Sequence, residues 1–368
     1  MSTIPTATAA RAVRGRPRIG VGEGRLGWLM AGPALALLIG FMIIPFVLAF
    51  VLAFTNQRLI SPNPTEFVGT RNFTDLLTVK ILTLNPQRDP SGGLVLGEDG
   101  QPVYPAVRDF TRNPDSEYYQ LQEFTTFTLG DASYRVLAGD AVFLRALLNT
   151  IGFALVIVPV QSLFGLGLAL LVNRKIRGRN IFRTIYFMPV VVSIVVISLL
   201  WKFLYSPQGG LVNEMLGTVS FGLIQPVNWL GDPMLALPAI MLMSIWQAVG
   251  FHMVIWLAGL QTIPGELYEA AALDGAGRWA SFQHVTWPGL RNTAVFILIT
   301  ITIAAFGLFA QIDVMTSGGP LDATQTVIYQ AVQRGFEQQD IAYGSAISVV
   351  FFVMVLVVAL IQRYLTRD

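Results

Sequence analysis

The feature that most constrains this chain is a series of long windows without Asp, Glu, Lys or Arg. They fall at 26–57, 146–173, 184–201, 233–265, 292–312 and 341–362. A helix rises about 1.5 Å per residue, so roughly 20 apolar residues cross the hydrocarbon core of a bilayer. A further uncharged stretch, 215–231, is rich in Gly, Asn, Gln and Pro and reads as a re-entrant or surface segment. The windows predict an all-α integral membrane fold with six spans at 28–55, 143–172, 182–204, 233–260, 292–314 and 343–364. Composition agrees: apolar residues are 54% and charged residues 12%, too few charges to cover a soluble domain. With no Cys and only His252 and His284, no disulfide framework, thiolate site or histidine-built metal centre is expected. The 24 basic and 22 acidic residues nearly cancel, and no basic stripe suits a nucleic acid.

Orientation follows from Lys and Arg near the span ends. The tail at 1–27 holds Arg11, Arg14, Arg16, Arg18 and Arg25. The link between the second and third spans holds Arg174, Lys175, Arg177, Arg179 and Arg183, and Arg363 and Arg367 close the chain. With six spans these all lie on one side, which carries 14 basic against 5 acidic residues; the other carries 10 against 17. The basic side is therefore expected to be cytoplasmic, with both termini, in a multi-pass protein of the cell (inner) membrane. The first window is too long, and lacks a convincing cleavage site, for a secretory signal. Pro33 and Pro45 within it predict kinks or tilt rather than a break. Trp28, Trp201 and Trp229 read as interfacial anchors.

Three segments fall on the extracytoplasmic side: 56–142, 205–232 and 315–342. The first is long and carries five prolines between 85 and 140. Leu94-Val95-Leu96, Glu98-Asp99-Gly100 and Val103-Tyr104 predict a small hairpin, and alternating Phe and Thr over 124–129 a strand. This insertion is either a tolerated loop or a small β-containing lobe that meets an external partner.

The cytoplasmic loop 261–291 is the most informative stretch. Pro264 suits a helix's first turn, and Glu266 and Glu269 favour its positive end. Ala270, Ala271 and Ala272 keep the helix thin. Gly275 can take the left-handed conformation that ends it, and Asp274 can cap the helix after it. Pro288 is expected to stop a second helix before the fifth span. The product is a short helix-turn-helix with a narrow ridge of small residues, suited to a cleft on another protein. Taken alone, an alanine-rich helix of this kind is more often a connector with no partner.

Glu269, Ala270, Ala271, Asp274, Gly275, Ala276, Phe282, Val285, Pro288 and Leu290, in this order and spacing, resemble the EAA loop of binding-protein-dependent ABC importers. The similarity is greatest to carbohydrate-uptake permeases of the maltose, trehalose and glycerol-3-phosphate type. Val285 and Trp287 depart mildly, standing where isoleucine and leucine are usual. A second block is similar to the segment joining the last two spans of the first permease subunit in these importers. It comprises Thr316-Ser317-Gly318-Gly319-Pro320, Thr324, Thr326, Tyr329, Phe336 and Ala342-Tyr343-Gly344-Ser345-Ala346. The resemblance covers the six spans but not the insertion at 85–140. It implies a type I ABC importer permease fold, with a second homologous permease, an ABC ATPase dimer and an extracytoplasmic sugar-binding protein as partners. Glu269, Ala270, Ala271, Asp274, Gly275 and Ala276 would couple the chain to the ATPase.

No Gly-Lys pair occurs, so the chain carries no Walker-type phosphate loop. It is expected not to be an enzyme and to bind no cofactor itself, with ATP and Mg on the partner ATPase subunits. A sugar path needs hydrogen-bonding groups and flat apolar faces between spans. Ser244, Gln247 and Phe251 share one helical face, as do Thr302, Phe306 and Phe309, with Gln311 nearby. The same residues serve equally as interhelical packing. His252 reads as a satisfied packing residue or a neighbour of the opposite wall, and Asp313 as a cap on the Gly-Gly-Pro turn. The rival reading is an ion-coupled secondary transporter of a small polar solute, which would show inverted repeats, broken helices or a buried coupling carboxylate. The spans are almost free of carboxylates, which counts against it.

Overall fold

The computed structural model describes residues 21–90, 93–98, 100–174 and 177–365. Arg11, Arg14, Arg16, Arg18, Asp99, Lys175 and Arg367, which entered the expectations above, lie outside the described residues. The uncharged windows become five unbroken apolar rods, at Leu26–Leu52, Ala141–Asn173, Ala236–Gln261, Arg278–Phe306 and Ile341–Leu365, and one bent pair. The chain divides into two compact units, the first ending at Leu48 and the second covering Ala49–Asp368.

The first rod joins α1 (Val21–Leu38), a π turn (Ile39–Ile43) and α2 (Ile44–Leu52). Pro33 is carried inside α1 without a break, as expected. Pro45 would press its ring on the carbonyl four residues back, and the wider π turn at that point lets the helix pass through. The residues of the π turn and α2 are all apolar or glycine, a composition suited to lipid on every side.

In the second unit, α3 (Arg71–Leu77) is tied to the end of the first rod by Asn72, whose amide donates to the Ala53 and Thr55 carbonyls at 2.9 and 2.8 Å. The insertion is a folded lobe. Strands β1 (Val79–Leu84), β2 (Gln122–Leu129) and β3 (Ala132–Ala138) form an antiparallel sheet in the order β1-β3-β2. Leu82, Leu84 and Leu137 are its buried core, roofed by Val107 and Phe110 of α4 (Val107–Thr111) and by Tyr118 and Leu121. The predicted strand at 124–129 lies within β2. The predicted hairpin is held by Val103 N–H on the Val95 carbonyl (2.9 Å) and Gly97 N–H on that of Gln101 (2.8 Å). On the sheet surface Thr126 donates to Glu123, and with Arg135 at 2.7 Å it holds that carboxyl below its usual range.

Strand β3 feeds directly into α5 (Ala141–Asn173), where Asp140 is the N-cap and accepts from Phe143 N–H at 2.8 Å. At 33 residues this helix is about 50 Å long and outreaches a ~30 Å hydrocarbon core. Its partner is α9 (Ala236–Gln261). Gln161 Nε2 donates to the Ser244 carbonyl at 2.8 Å and Trp256 Nε1 to that of Ser162 at 3.1 Å. Phe153, Ile157, Met243, Met253 and Trp256 join Ile297 and Ile301 in one apolar core.

The window expected as the third span is α6 (Arg179–Val191) and α7 (Ile194–Leu204), bent by 97°. Pro189 occupies the last turn of α6, and Val192 and Ser193 are extended (ψ 141 and 134), so the hydrogen-bond ladder stops and restarts. The uncharged stretch 215–231 holds the end of α8 (Leu211–Val219) and a turn. Asn213 ties that turn down, accepting from Val227 N–H and from Trp229 Nε1.

Beyond α9 come α10 (Gly265–Leu273), α11 (Arg278–Ser281), a π turn (Phe282–Thr286) and α12 (Trp287–Phe306). Pro288 does not stop a helix, contrary to expectation: the rod runs from Arg278 to Phe306, and Pro288 stands in the first turn of α12 just after the π turn. The helical rod over the fifth window thus begins before 292 and ends at Phe306, and a separate α13 (Ala310–Met315) follows. Lys202 Nζ caps the far end of α13 through the Val314 carbonyl at 2.8 Å. After the Gly-Gly-Pro turn, α14 (Val327–Val332) and a π turn (Gln333–Glu337) lead to α15 (Ile341–Leu365).

Candidate functional site

The loop after α9 carries the densest sequence signal. Leu273 ends α10 and Asp274 follows at its C-cap. Gly275 takes φ +76°, where a side chain is strained, and the turn closes with Ala276 N–H on the Ala271 carbonyl at 2.9 Å and Gly275 N–H on that of Ala272 at 3.1 Å. The sequence expectation for Gly275 is met. The one for Asp274 is not: the N-cap of α11 is Gly277, with no side-chain cap bond, and Asp274 closes the preceding helix instead.

Glu269, Ala270, Asp274 and Gly275 are exposed, while Ala271 and Ala276 are half-buried against the following turn. The six residues expected to meet a partner therefore lie together on one short helix and its cap. Among the described residues one side-chain hydrogen bond ties this helix to the π turn after α11, between Tyr268 Oη and Thr286 Oγ1 at 3.0 Å. Three residues outside the predicted set stand out. Leu273 is 90% exposed at the tip, and Leu267 and Trp279 are exposed beside it, the latter stacked on Phe282. Exposed large apolar groups gathered on one loop suit contact with another protein or a membrane surface. Their signal was present in the sequence as bulky residues flanking the alanine run.

The other end of α5 is built differently. Asp140, 2% exposed, gathers Arg334 Nη2 (3.1 Å), Tyr343 Oη (3.0 Å) and Gln330 Nε2 (3.3 Å) as well as the Phe143 N–H. Arg334 also lies over the Tyr343 ring at 5.5 Å. A carboxylate so placed is neutralised and hydrogen-bonded, as burial requires. The Gly-Gly-Pro turn beside it is pinned to α5 by Arg145 Nη1 on the Leu321 carbonyl (2.8 Å) and Asn149 Nδ2 on that of Gln325 (3.0 Å). Asp313 does not cap this turn. Thr324 does, with Oγ1 on the Gly319 carbonyl (2.7 Å) and against Thr316 Oγ1 (2.8 Å), while Asp313 offers only its backbone carbonyl, to Ser317. Gln325 and Gln330 are buried, yet their amide oxygens find no donor, a loss of about 1–3 kcal/mol each if nothing fills it.

The seven residues expected along a substrate path divide. Thr302 is buried, donating to the Leu298 carbonyl and accepting from Gln362 Nε2 at 2.7 Å. Phe306 is buried against Phe351. In this arrangement both pack against neighbouring helices. Ser244 is buried with its Oγ unpartnered. Gln247, Phe309 and Gln311 are half-buried, with Phe309 tilted on Tyr329 at 5.8 Å, and Phe251 is exposed. His252, expected to be satisfied, is buried beside Phe251, and its Nδ1 makes no hydrogen bond of ordinary geometry. Among the described residues no cluster of His, Asp or Glu could hold a metal ion.

Comparison with known proteins bears on these two ends. The family model described as "Binding-protein-dependent transport system inner membrane component" matches residues 161–368, which include both the α10 loop and the Gly-Gly-Pro turn. The trehalose/maltose transport system permease protein MalF of Thermococcus litoralis is 34% identical over 249 residues, 68% of this chain and 80% of that one. The lactose transport system permease protein LacF of Rhizobium radiobacter is 35% identical over 270 residues, 72% and 89% of the two. In fold, a chain of a bacterial ABC transporter involved in the import of the acidic polysaccharide alginate superposes with a TM-score of 0.66 at 20% identity, covering 94% of this chain and 96% of that one.

Proposed function

Because the chain belongs to the family of binding-protein-dependent transport system inner membrane components, we infer that it is the transmembrane permease subunit of an ATP-powered sugar importer. The observation that carries this reading is the α10 loop: a thin, largely exposed helix, closed by a left-handed glycine and tipped with Leu273. That is the form of a lever seated in another protein's cleft. Rigid-body motion at such a contact rocks packed helices without any chemistry on the chain itself. ATP and Mg belong on a pair of separate ATPase subunits docked there through Glu269, Ala270, Ala271, Asp274, Gly275 and Ala276. A second homologous permease completes the bundle, and an extracytoplasmic sugar-binding protein delivers cargo at the β-lobe end. The lobe then faces the outside, and both termini and α10 face the cytoplasm across the inner membrane.

Sugar as the cargo is supported by relatives named for trehalose, maltose and lactose transport. The half-buried Gln247, Phe309 and Gln311, with exposed Phe251, are the members of the predicted path free to meet it. The rival, ion-coupled reading gains the bend between α6 and α7 but lacks its carboxylate. The buried Asp140 is spent on Arg334 and on capping α5, and among the described residues no other carboxylate is buried to hold a travelling ion.

The test is reconstitution of the chain with its neighbouring permease, ATPase and binding subunits in liposomes, assayed with trehalose, maltose and lactose. Uptake of at least one sugar that requires internal ATP and survives collapse of the proton gradient is expected. Accumulation by this chain alone, or uptake abolished by an ionophore with ATP present, would overturn the assignment.

A further inference from the structure

At the β-lobe end a cavity of about 370 Å³ opens between the start of α5, the Gly-Gly-Pro turn and the π turn before α15. Its walls are unusually amide-rich: Gln325, Gln330, Gln333 and Gln338 all line it, with Ser317 and Arg334. Two of these, Gln325 at 4% exposure and Gln330 at 1%, carry the amide oxygens that lack any donor in the protein. Both oxygens are sealed from solvent as the side chains stand; the last torsion of a glutamine is soft, and its rotation would turn an amide toward a donor in the cavity. Buried acceptors in want of donors are rare in folded proteins and point to something that completes them.

The backbone gives a second, independent sign. Ser317, Leu321 and Asp322 hold φ of 51°, 48° and 60°, a left-handed region unfavourable to residues other than glycine. All three line the cavity, and the strained turn is held in place by Arg145 and Asn149 from α5. Strain maintained by surrounding bonds gathers where a ligand is held.

The charges select the ligand's class. Arg334 is the cavity's cation, and it is neutralised by Asp140 at 3.1 Å and satisfied by Gln338 at 2.9 Å. It has little left for an anion, and the lining carboxylate, Asp322, is half-exposed to water, so neither is a buried, unpaired charge that would call for a counter-ion. What remains is a neutral molecule rich in hydroxyl groups, each both donor and acceptor, as glutamine amides require. We propose that this cavity is an outer saccharide subsite, taking one or two sugar units before they enter the spans. The proposal rests on the sugar-importer reading above, and it deepens that reading by placing a binding site away from the mid-span residues.

The test exploits the absence of cysteine from the chain. In the full permease pair with its ATPase subunits in nanodiscs, without the binding protein, Gln333→Cys supplies a unique thiol in the cavity wall. Gln338→Cys at the exposed rim is the second variant if the first folds poorly, and Ser61→Cys is a control on the same side. Maleimide labelling is timed with and without 10-millimolar trehalose, maltose or lactose (about the range of weak subsites). A slowing of about threefold or more by at least one sugar at the cavity thiol, none at Ser61→Cys, and its loss on adding Gln325→Leu are expected. No protection by a sugar that the assembled transporter does import would overturn the subsite while leaving the importer intact. Protection by the binding protein alone would also overturn it, because the cavity would then be a protein contact. Protection without ATP-driven uptake of any sugar would support the subsite and count against the importer reading instead.

Discussion

The two ends of α5 and its neighbours are built on opposite plans. At one end, α10 stands out from the bundle with a single side-chain brace, exposed small residues and an apolar tip. At the other, the buried Asp140 carboxylate is cross-bonded, and the Gly-Gly-Pro turn beside it is bonded to α5 and strained. Much of the first end's surface is left for something else to hold. The second holds itself, and joins the β lobe to α5, α14 and α15 through one carboxylate. A transporter driven from outside needs this division, because a lever must be free where it is pushed and fixed where its motion is received.

The largest effect that would sharpen this contrast comes from Asp140→Ala. It removes the cap of α5 and leaves Arg334 without its partner, so a loss of about 3 kcal/mol or more is expected, read as early thermal unfolding in detergent. An unchanged midpoint would mean the end is not self-held. Next is Gly344→Ala. An added Cβ would lie 2.8 Å from the Gly335 Cα and the Ala331 carbonyl, where α15 crosses the preceding turn. Overpacking there is expected to remove about 1–3 kcal/mol in the same assay. At the opposite end Leu273→Ser should leave the unfolding midpoint where it is, since the side chain touches little of its own chain. It should nonetheless weaken co-purification of the ATPase subunits about tenfold, the scale of an interface anchor. A lowered midpoint with normal docking would reverse the roles assigned to the two ends. The smallest effect is that of Tyr268→Phe, which deletes one hydrogen bond worth about 1 kcal/mol. Faster amide exchange confined to residues 265–276 is the expected readout.

Much of this was legible in the sequence, for identifiable reasons. Spans show as missing charges because lipid tolerates none, and the α10 loop shows because its residues are fixed by local geometry: a proline before the helix, alanines within it and a glycine after it. The left-handed turn at Gly275 could be expected from the residue alone. What escaped depends on partners distant in sequence. Strands β1 and β3 pair residues some fifty positions apart and carry Lys80 and Arg135, so neither alternates cleanly. The Asp140 cluster joins residues about 190 positions apart. Pro288 looked like a stop because the π turn that accommodates it has no sequence signature of its own. The break between α6 and α7 was hidden for the opposite reason: Val192 and Ser193 are as apolar or small as their neighbours. Thr302 and Phe306 share the pattern of a path residue and of a packing residue, and only the positions of Gln362 and Phe351 decide between them.

The central claim is that the stroke enters through α10 from a separate motor. The most direct measurement compares ATP-driven sugar uptake by the complete transporter with that of one whose permease lacks residues 269–274, with membrane insertion checked in both. The account predicts that uptake is abolished while the shortened chain still inserts and still pairs with its neighbour permease. Uptake at the undeleted rate would contradict it.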